Sequence, residues 1–231
     1  MASSRSAKMI PCQRHLFDIP RDVAYLNCAY ISPIPNATRD AGQAGLARKS
    51  MPWTIAAEDF FSESEIVRGL FANLIGATPD EVAIIPSASY GVGIAAANVA
   101  FEPGQSILVL EEQFPSNLYP WRQLSADNEG SLITVPRPSD GDWTTAIINT
   151  LDSTTAVVAI PHCHWTDGGL IDLERIASAC REHRAALVID ATQSLGALEL
   201  DVTQVQPDFL ISASYKWLLG PYSLGFVYVA P

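Results

Sequence analysis

The most informative stretch of the sequence is FLISASYKW, residues 209–217. Its apolar first half predicts a buried β-strand, which ends in hydroxyl side chains and in Lys216. Upstream, residues 188–193 (VIDATQ) predict a second buried strand that ends in Asp190. Charged groups are costly to bury without partners, so an acid and a lysine at the ends of neighbouring apolar strands are poor core residues. The two strand ends therefore indicate a functional site.

Pyridoxal phosphate would supply a partner for each of these charged groups. A lysine amine condenses with the aldehyde of this cofactor to an internal aldimine, and an acid pairs with its pyridinium nitrogen. That pairing keeps the ring protonated, so that electrons released at the substrate α-carbon can flow into it. Either residue alone would be weak evidence, but Lys216 and Asp190 together predict a pyridoxal phosphate enzyme.

The composition limits the kinds of partner that the chain can have. Its 231 residues are 48% hydrophobic and only 17% charged, which is enough apolar material for a sizeable core. The formal net charge of -11 argues against nucleic-acid or anionic-membrane partners, although one local anion site remains compatible with it. No apolar run reaches the length of a membrane span. A small molecule is the expected partner.

The cysteines indicate the cellular compartment of the protein, and the first residues indicate where its domain begins. The four cysteines have no CxxC spacing, which favours a reduced, cytoplasmic setting. The run HCH at residues 162–164 is followed by no second ligand cluster, so no metal site is expected. Residues 1–15 are predicted to be a disordered leader that lacks the apolar core of a signal peptide. Residues 16–231 are predicted to form one cofactor-binding domain.

From about residue 81, short apolar runs alternate with helical patterns, which is typical of βα units and a mostly parallel sheet. Strands are predicted at residues 82–85, 106–110, 132–135, 156–160, 186–189, 209–212 and 225–229. The last two are expected to be antiparallel neighbours, because the connection between Trp217 and Leu224 is too short for a helical crossover. Helices at about residues 35–49 and 57–75 are expected to pack on this sheet through faces with few charges.

Three more segments follow predicted strands and should lie near Lys216. The run SAS at residues 87–89 begins a helix, where free N–H groups bind anions, although serine is also a common helix cap. Phe114 could stack on a planar ring or anchor its own loop. Residues 164–169 (HWTDGG), which include Thr166, follow the fourth strand. All of them converge on the crevice where open α/β sheets bind ligands.

From about Phe17 onward, the chain resembles the large domain of the aminotransferase class V family of fold-type I pyridoxal phosphate enzymes. That family includes cysteine desulfurases, isopenicillin N epimerase-like proteins and kynureninases. The resemblance implies a three-layer α/β domain whose mostly parallel sheet carries one antiparallel strand. It implies that Lys216 is the Schiff-base lysine and Asp190 the pyridinium partner. Ala88, through its backbone, and Ser89 match the pair that cradles the phosphate.

Two motifs are similar to kynureninase sequences, namely SYK at residues 214–216 and FPSN at residues 114–117. In kynureninases the residue matching Tyr215 contacts the phosphate. That branch has Asp where this chain has Asn117, and His where it has Gln193. The motifs therefore resemble kynureninases only in part and do not select one activity.

Other positions are closer to the desulfurases or differ from them. Gln193 matches the residue that hydrogen-bonds the 3-oxygen of the cofactor in desulfurases, and Phe114 falls at their ring-stacking position, which is His. Trp165 stands where desulfurases have Asn. The cofactor-binding residues implied are Ala88, Ser89, Phe114, Asn117, Thr166, Asp190, Gln193, Ser214, Tyr215 and Lys216.

The resemblance leaves the reaction open among transamination, epimerisation and C–S or C–C bond cleavage of a small amino acid or amine. Family members continue past the position of Pro231 into a C-terminal small domain, which holds the arginine that binds the substrate carboxylate. A homodimer is expected if that missing part is supplied. A second hypothesis is a truncated, catalytically impaired cofactor-binding fragment or pseudoenzyme. A Rossmann-type nucleotide-binding protein is disfavoured, because no GxGxxG follows the first strand.

Overall fold

A computed structural model describes residues 10–231, so the first nine residues of the predicted leader lie outside the described part. Within this range the helices are α1 (Asn36–Lys49), α2 (Ser62–Ile75), α3 (Ala88–Asn98), α4 (Tyr119–Asp127), α5 (Trp143–Thr150), α6 (Leu173–His183) and α7 (Val202–Val205). The strands are β1 (Val82–Ile85), β2 (Ser106–Leu110), β3 (Ser131–Val135), β4 (Thr155–Pro161), β5 (Ala186–Asp190), β6 (Phe209–Ala213) and β7 (Gly225–Val229).

The strands form one sheet in the order β1-β7-β6-β5-β4-β2-β3. Strands β2 to β6 pair with one another in parallel. Strand β7 runs antiparallel to both of its neighbours, β1 and β6. The structure therefore confirms the predicted mostly parallel sheet with one antiparallel strand. It also confirms that the last two strands are antiparallel neighbours.

The sheet is buried on both faces, because successive side chains of a strand point to opposite sides. In β2, Leu108 and Leu110 pack in one apolar cluster with side chains of α2, α5 and α6. Ile107 and Val109 pack in a second cluster with side chains of α3 and α4. Each such side chain contributes about 1.5–3 kcal/mol when it is fully buried. Helices thus cover the sheet on both sides, which gives the three layers.

Local signals in the sequence set the ends of α2 and α6. The carboxylate of Asp172 accepts a hydrogen bond from the Arg175 N–H (3.1 Å) and so caps the first turn of α6. Arg184, with φ 59°, adopts the left-handed conformation that ends the same helix. Gly76 ends α2 in the same way. None of the helices between residues 10 and 231 has both the length and the apolar character that a membrane span requires.

The two N-terminal helices differ from the prediction. Helix α1 buries none of its residues, and its one large apolar side chain, Leu46, is 77% exposed. Few charges on a helix do not produce burial when the face also lacks large apolar side chains. The predicted helix at residues 57–75 is divided at Phe61 into a short 3-10 turn and α2. Only α2 buries apolar residues in the core.

Candidate active site

A cavity of about 240 Å³ lies where the parallel strands end and α3 begins. Ligand pockets for drug-sized molecules usually have about 300–1,000 Å³, so the enclosed part of this cavity suits one small molecule. Seven of the ten residues proposed from the sequence line it: Ala88, Ser89, Phe114, Asp190, Gln193, Tyr215 and Lys216. These seven residues therefore meet at one edge of the sheet, as expected from the sequence.

Two buried charged side chains face the cavity, Lys216 at 6% exposed and Asp190 at 8% exposed. Asp190 is the last residue of β5, and Lys216 follows the end of the neighbouring strand β6. The amine of Lys216 lies 5.5 Å from the centre of the Phe114 ring and 5.8 Å from that of Tyr215. Within residues 10–231 its Nζ takes part in no ion pair, so nothing in this part of the chain neutralises it directly.

Burial shifts both groups towards their neutral forms. It lowers the pKa of the Lys216 amine, although the nearby Asp190 carboxylate acts in the opposite direction. It raises the pKa of the Asp190 carboxyl, against hydrogen bonds from Thr192 and the charge of Lys216. The Thr192 N–H donates to Asp190 Oδ1 at 3.0 Å and holds the carboxylate in place. A lysine with a lowered pKa is a stronger nucleophile at neutral pH than an exposed one.

We expect Asp190→Asn to stabilise the cofactor-free chain at pH 7. The carboxyl ionises at lower pH in the unfolded chain than in the folded one, so its contribution to stability falls as the pH rises through the raised pKa. An uncharged amide escapes this cost, so we expect the free energy of unfolding to rise. Urea unfolding at pH 7 should show the gain, and unfolding below about pH 4 should show none.

The matched control for this measurement is Asp142→Asn. Asp142 is an exposed helix cap whose pKa is lowered, first of all by its hydrogen bond with the Thr145 side chain. Its carboxylate therefore stabilises the fold above the ordinary aspartate pKa and loses this effect as the pH falls. A gain from Asp142→Asn, or a loss from Asp190→Asn at pH 7, would contradict the assignment of burial as the dominant cause.

The sequence left open whether residues 87–89 form an anion site or a helix cap, and the beginning of α3 has features of both. Ser87 caps the helix, because its side chain accepts a hydrogen bond from the Tyr90 N–H at 3.2 Å. Ala88 and Ser89 follow in the first turn and line the cavity. A Cβ atom at Gly91 would lie 2.7 Å from Ile85 Cδ1 and 2.9 Å from Ile211 Cγ2, so α3 approaches the sheet closely at this glycine. The helix thus presents its positive end to the cavity.

Aromatic side chains form another part of the wall. Phe114 and Trp165 pack edge to face, with ring centres 5.3 Å apart and an angle of 90° between the planes. Tyr215 packs against Tyr222 at 4.7 Å. All four of these side chains line the cavity. Phe114 is therefore not only an anchor for its own loop, because its ring also lies against the cavity.

Gln193 has a fixed orientation in the cavity wall. Its Nε2 donates to the Ala29 carbonyl at 3.0 Å, and its Oε1 accepts a hydrogen bond from the Trp217 indole at 3.1 Å. A carboxamide nitrogen carries two hydrogens, so one of them remains for a ligand. The turn at residues 28–30 thus supports the site through the Ala29 carbonyl.

The structure places three of the proposed cofactor-binding residues outside the cavity lining. Ser214 Oγ donates to the carbonyls of Pro221 (2.9 Å) and Leu224 (2.8 Å) and closes the turn before β7. Asn117 Oδ1 accepts a hydrogen bond from the Trp121 indole at 2.9 Å. Thr166 Oγ1 accepts one from the Arg137 guanidinium at 2.6 Å. Their side chains hold the loops that carry the cavity wall.

Thr192 and Gln113 are two of the polar wall residues that were not proposed from the sequence. Thr192 fixes the end of β5, because it donates to Asp190 and its Oγ1 accepts a hydrogen bond from the Ala213 N–H at 3.1 Å. Gln113 is 6% exposed, and neither amide atom has a hydrogen-bond partner within the described residues. Buried polar atoms without partners are rare in proteins, so this amide is a candidate ligand contact. In the sequence, the sign that Gln113 lies in the wall was its position directly before Phe114.

Nothing in the described part of the chain suggests a metal site. No cluster of three or more His, Cys, Asp or Glu side chains between residues 10 and 231 is arranged to hold a metal ion. His164 is fully buried and stacks on the Trp143 ring, with centres 4.9 Å apart. Cys163 lines the cavity, and burial raises the pKa of its thiol, which disfavours the thiolate.

Comparison with known proteins supplies a family for this site. The model of the family described as aminotransferase class-V matches residues 51–231. The chain is 32% identical over 203 residues to the uncharacterized aminotransferase YcbU of Bacillus subtilis. This match covers 87% of this chain and 52% of the relative. It is 28% identical over 222 residues to a probable cysteine desulfurase of Methanothermobacter thermautotrophicus, covering 91% of this chain and 54% of the relative. The chain spans about half the length of these curated relatives.

Solved structures agree with the fold. A mutant of C-DES with glycine covalently linked to its pyridoxal phosphate cofactor superposes with a TM-score of 0.86 and 21% identity, covering 95% of this chain and 60% of that chain. The apo cysteine desulfurase of Thermococcus onnurineus has a TM-score of 0.81 and 20% identity, covering 94% and 56%. These similarities confirm the predicted three-layer α/β large domain.

Proposed function

Because the chain belongs to the aminotransferase class-V family, we propose that its cavity holds pyridoxal phosphate and that it acts on an amino acid or amine. The observation that carries the proposal is the pair Lys216 and Asp190, both buried and both facing one cavity at the ends of adjacent strands. Such a pair has little use in a core, where neither charge would be compensated.

The residues present in the cavity fit this cofactor. The enclosed volume of about 240 Å³ suits one small molecule. The amine of Lys216 is available to an aldehyde, and the first turn of α3 with Ser89 offers a site for a phosphate. Asp190 offers a carboxylate to a ring nitrogen. The partnerless amide of Gln113 also indicates that a polar ligand belongs here.

Four of the wall residues have roles that follow from their chemistry. Asp190 would hold the ring nitrogen in its protonated form, Phe114 would contact the ring face, and Gln193 would donate its remaining N–H to the 3-oxygen. When bound, the cofactor supplies an electron sink for charge that develops at the substrate α-carbon. Lys216 Nζ would bind the aldehyde and, once displaced by substrate, remove the α-proton as general base.

The test is to incubate the purified chain with pyridoxal phosphate, record its absorption spectrum, reduce it with borohydride and map the modified peptide. We expect a band at roughly 410–430 nm that borohydride removes, with the pyridoxyl mass on Lys216. The sequence contains only three lysines, Lys8, Lys49 and Lys216, and exposed Lys49 reports non-specific labelling. Equal labelling of Lys49 and Lys216 would refute the site. Specific labelling without turnover of any amino acid would instead support the impaired, cofactor-binding alternative.

A further inference from the structure

We propose that this cavity selects amino acids or amines with a bulky, uncharged apolar side chain, aromatic ones above all, and that Trp165 makes the selection. The proposal rests on the proposed function, because it names the substrate class of the same site. Three properties of the cavity wall carry it: its charges, its exposed aromatic surface and the rigidity of Trp165.

The lining contains only two ionisable side chains that are charged in their ordinary state, Asp190 and Lys216. Both have roles towards the cofactor, so this part of the chain leaves no charged group for a substrate side chain. A second carboxylate or ammonium group would enter the cavity without an opposite charge and would lose its hydration. The lining therefore disfavours acidic and basic side chains.

Aromatic side chains take up the open part of the cavity. Trp165 is 47% exposed and Tyr222 70%, and both line the cavity. Because the enclosed volume of about 240 Å³ suits one small molecule, a substrate that reacts beside the cofactor must extend into this open part. Its side chain then meets exposed aromatic surface, which gains most from covering by apolar or aromatic groups.

The Trp165 ring is held in place by two loops that are tied together. Its Nε1 donates to the Glu112 carbonyl at 2.7 Å, in the loop after β2. The flanking residues are anchored as well: His164 Nε2 contacts the Glu111 carbonyl at 3.1 Å, and Thr166 accepts a hydrogen bond from Arg137. Arg137 also pairs with Glu112 and Asp167. A ring fixed in this way loses little side-chain entropy when a ligand covers it.

The test measures binding of L-phenylalanine, L-leucine, L-alanine and L-aspartate to the cofactor-loaded full chain by calorimetry. We expect phenylalanine to bind about tenfold more tightly than alanine, or more, with leucine between them and aspartate weakest. Trp165→Ala should remove this preference, whereas Trp165→Phe should retain most of it. The matched control is Trp53→Ala, because Trp53 is 79% exposed and lies outside the cavity lining.

The outcomes separate this proposal from the one on which it rests. If the chain is labelled at Lys216 but binds all four amino acids equally, the proposed function stands and the substrate class is wrong. If the preference survives Trp165→Ala, with Trp165→Phe and Trp53→Ala unchanged, Trp165 is not the selecting residue. If pyridoxal phosphate is not captured at Lys216, both proposals fail. Should Trp165→Ala not fold, the wild-type preference and Trp165→Phe still decide the substrate class.

Discussion

Lys216→Ala should abolish covalent capture of pyridoxal phosphate and lower turnover by about three orders of magnitude or more. Among the described residues Lys216 provides the one amine in the cavity lining, and its lowered pKa leaves more of that amine unprotonated than an exposed lysine would have. Without it, neither the bond to the cofactor aldehyde nor the removal of the α-proton has a group to perform it. Absorption spectra before and after borohydride, together with steady-state rates, measure the two losses separately.

Two companion variants make this prediction sharper. Lys49→Ala removes an exposed lysine at the end of α1 and should change neither the spectrum nor the rate. Lys216→Arg keeps a positive charge, but an arginine is always protonated and cannot replace the amine as nucleophile. It should therefore resemble Lys216→Ala. An alanine variant with an intact band that borohydride still fixes to the chain would refute the assignment of Lys216.

Gly196→Ala should lower the free energy of unfolding by about 2–5 kcal/mol. Gly196 has φ +98°, a conformation that residues with a side chain rarely adopt. In addition, a Cβ atom at this position would lie 2.4 Å from the Trp217 carbonyl oxygen and 2.7 Å from its carbon. Since these are backbone atoms, the chain must move, and Trp217 directly follows Lys216. Urea unfolding measures the loss of stability.

Gly141→Ala separates the two causes. Gly141 has φ +79°, but a Cβ atom there would meet no heavy atom within 4 Å. It should therefore show only the conformational cost of about 1–2 kcal/mol. Gly196→Ala should also weaken cofactor capture, because a shifted Trp217 displaces the lysine before it. Equal effects of the two substitutions on stability would show that contact with Trp217 is unimportant.

The sheet was predictable because each of its strands is a short apolar run between helical or polar segments. The predicted bounds of β1, β2 and β7 agree with the structure, and those of the other strands differ by at most one residue at either end. Helix α7 was missed, since its four residues are too few to show a helical period. The exposure of α1 was also missed, because the prediction used the scarcity of charge and not the scarcity of large apolar side chains, of which α1 has only Leu46.

The cavity could be predicted where a residue ends a strand, lies shortly after one or begins a helix. Asp190, Lys216 and Ala88 occupy such positions, and the geometry of a parallel sheet brings them together. Loop side chains are different, because no strand or helix period sets their direction. Ser214 therefore bonds back to its own turn, and Gln113 lines the cavity although only its neighbour Phe114 was proposed.

The position of β7 between β1 and β6 has a consequence for the order in which the domain can be assembled. Among the strands between residues 10 and 231, β7 is the only one that pairs with β1, and Val82 of β1 pairs with Tyr228 near the far end of that range. During synthesis on the ribosome, β1 must wait until β7 has emerged, while β2 and β3 can already pair. Until then an unpaired apolar strand is exposed to other chains, which invites aggregation or chaperone binding. Among the seven strands of the described chain, the first in sequence cannot pair before the last has been made.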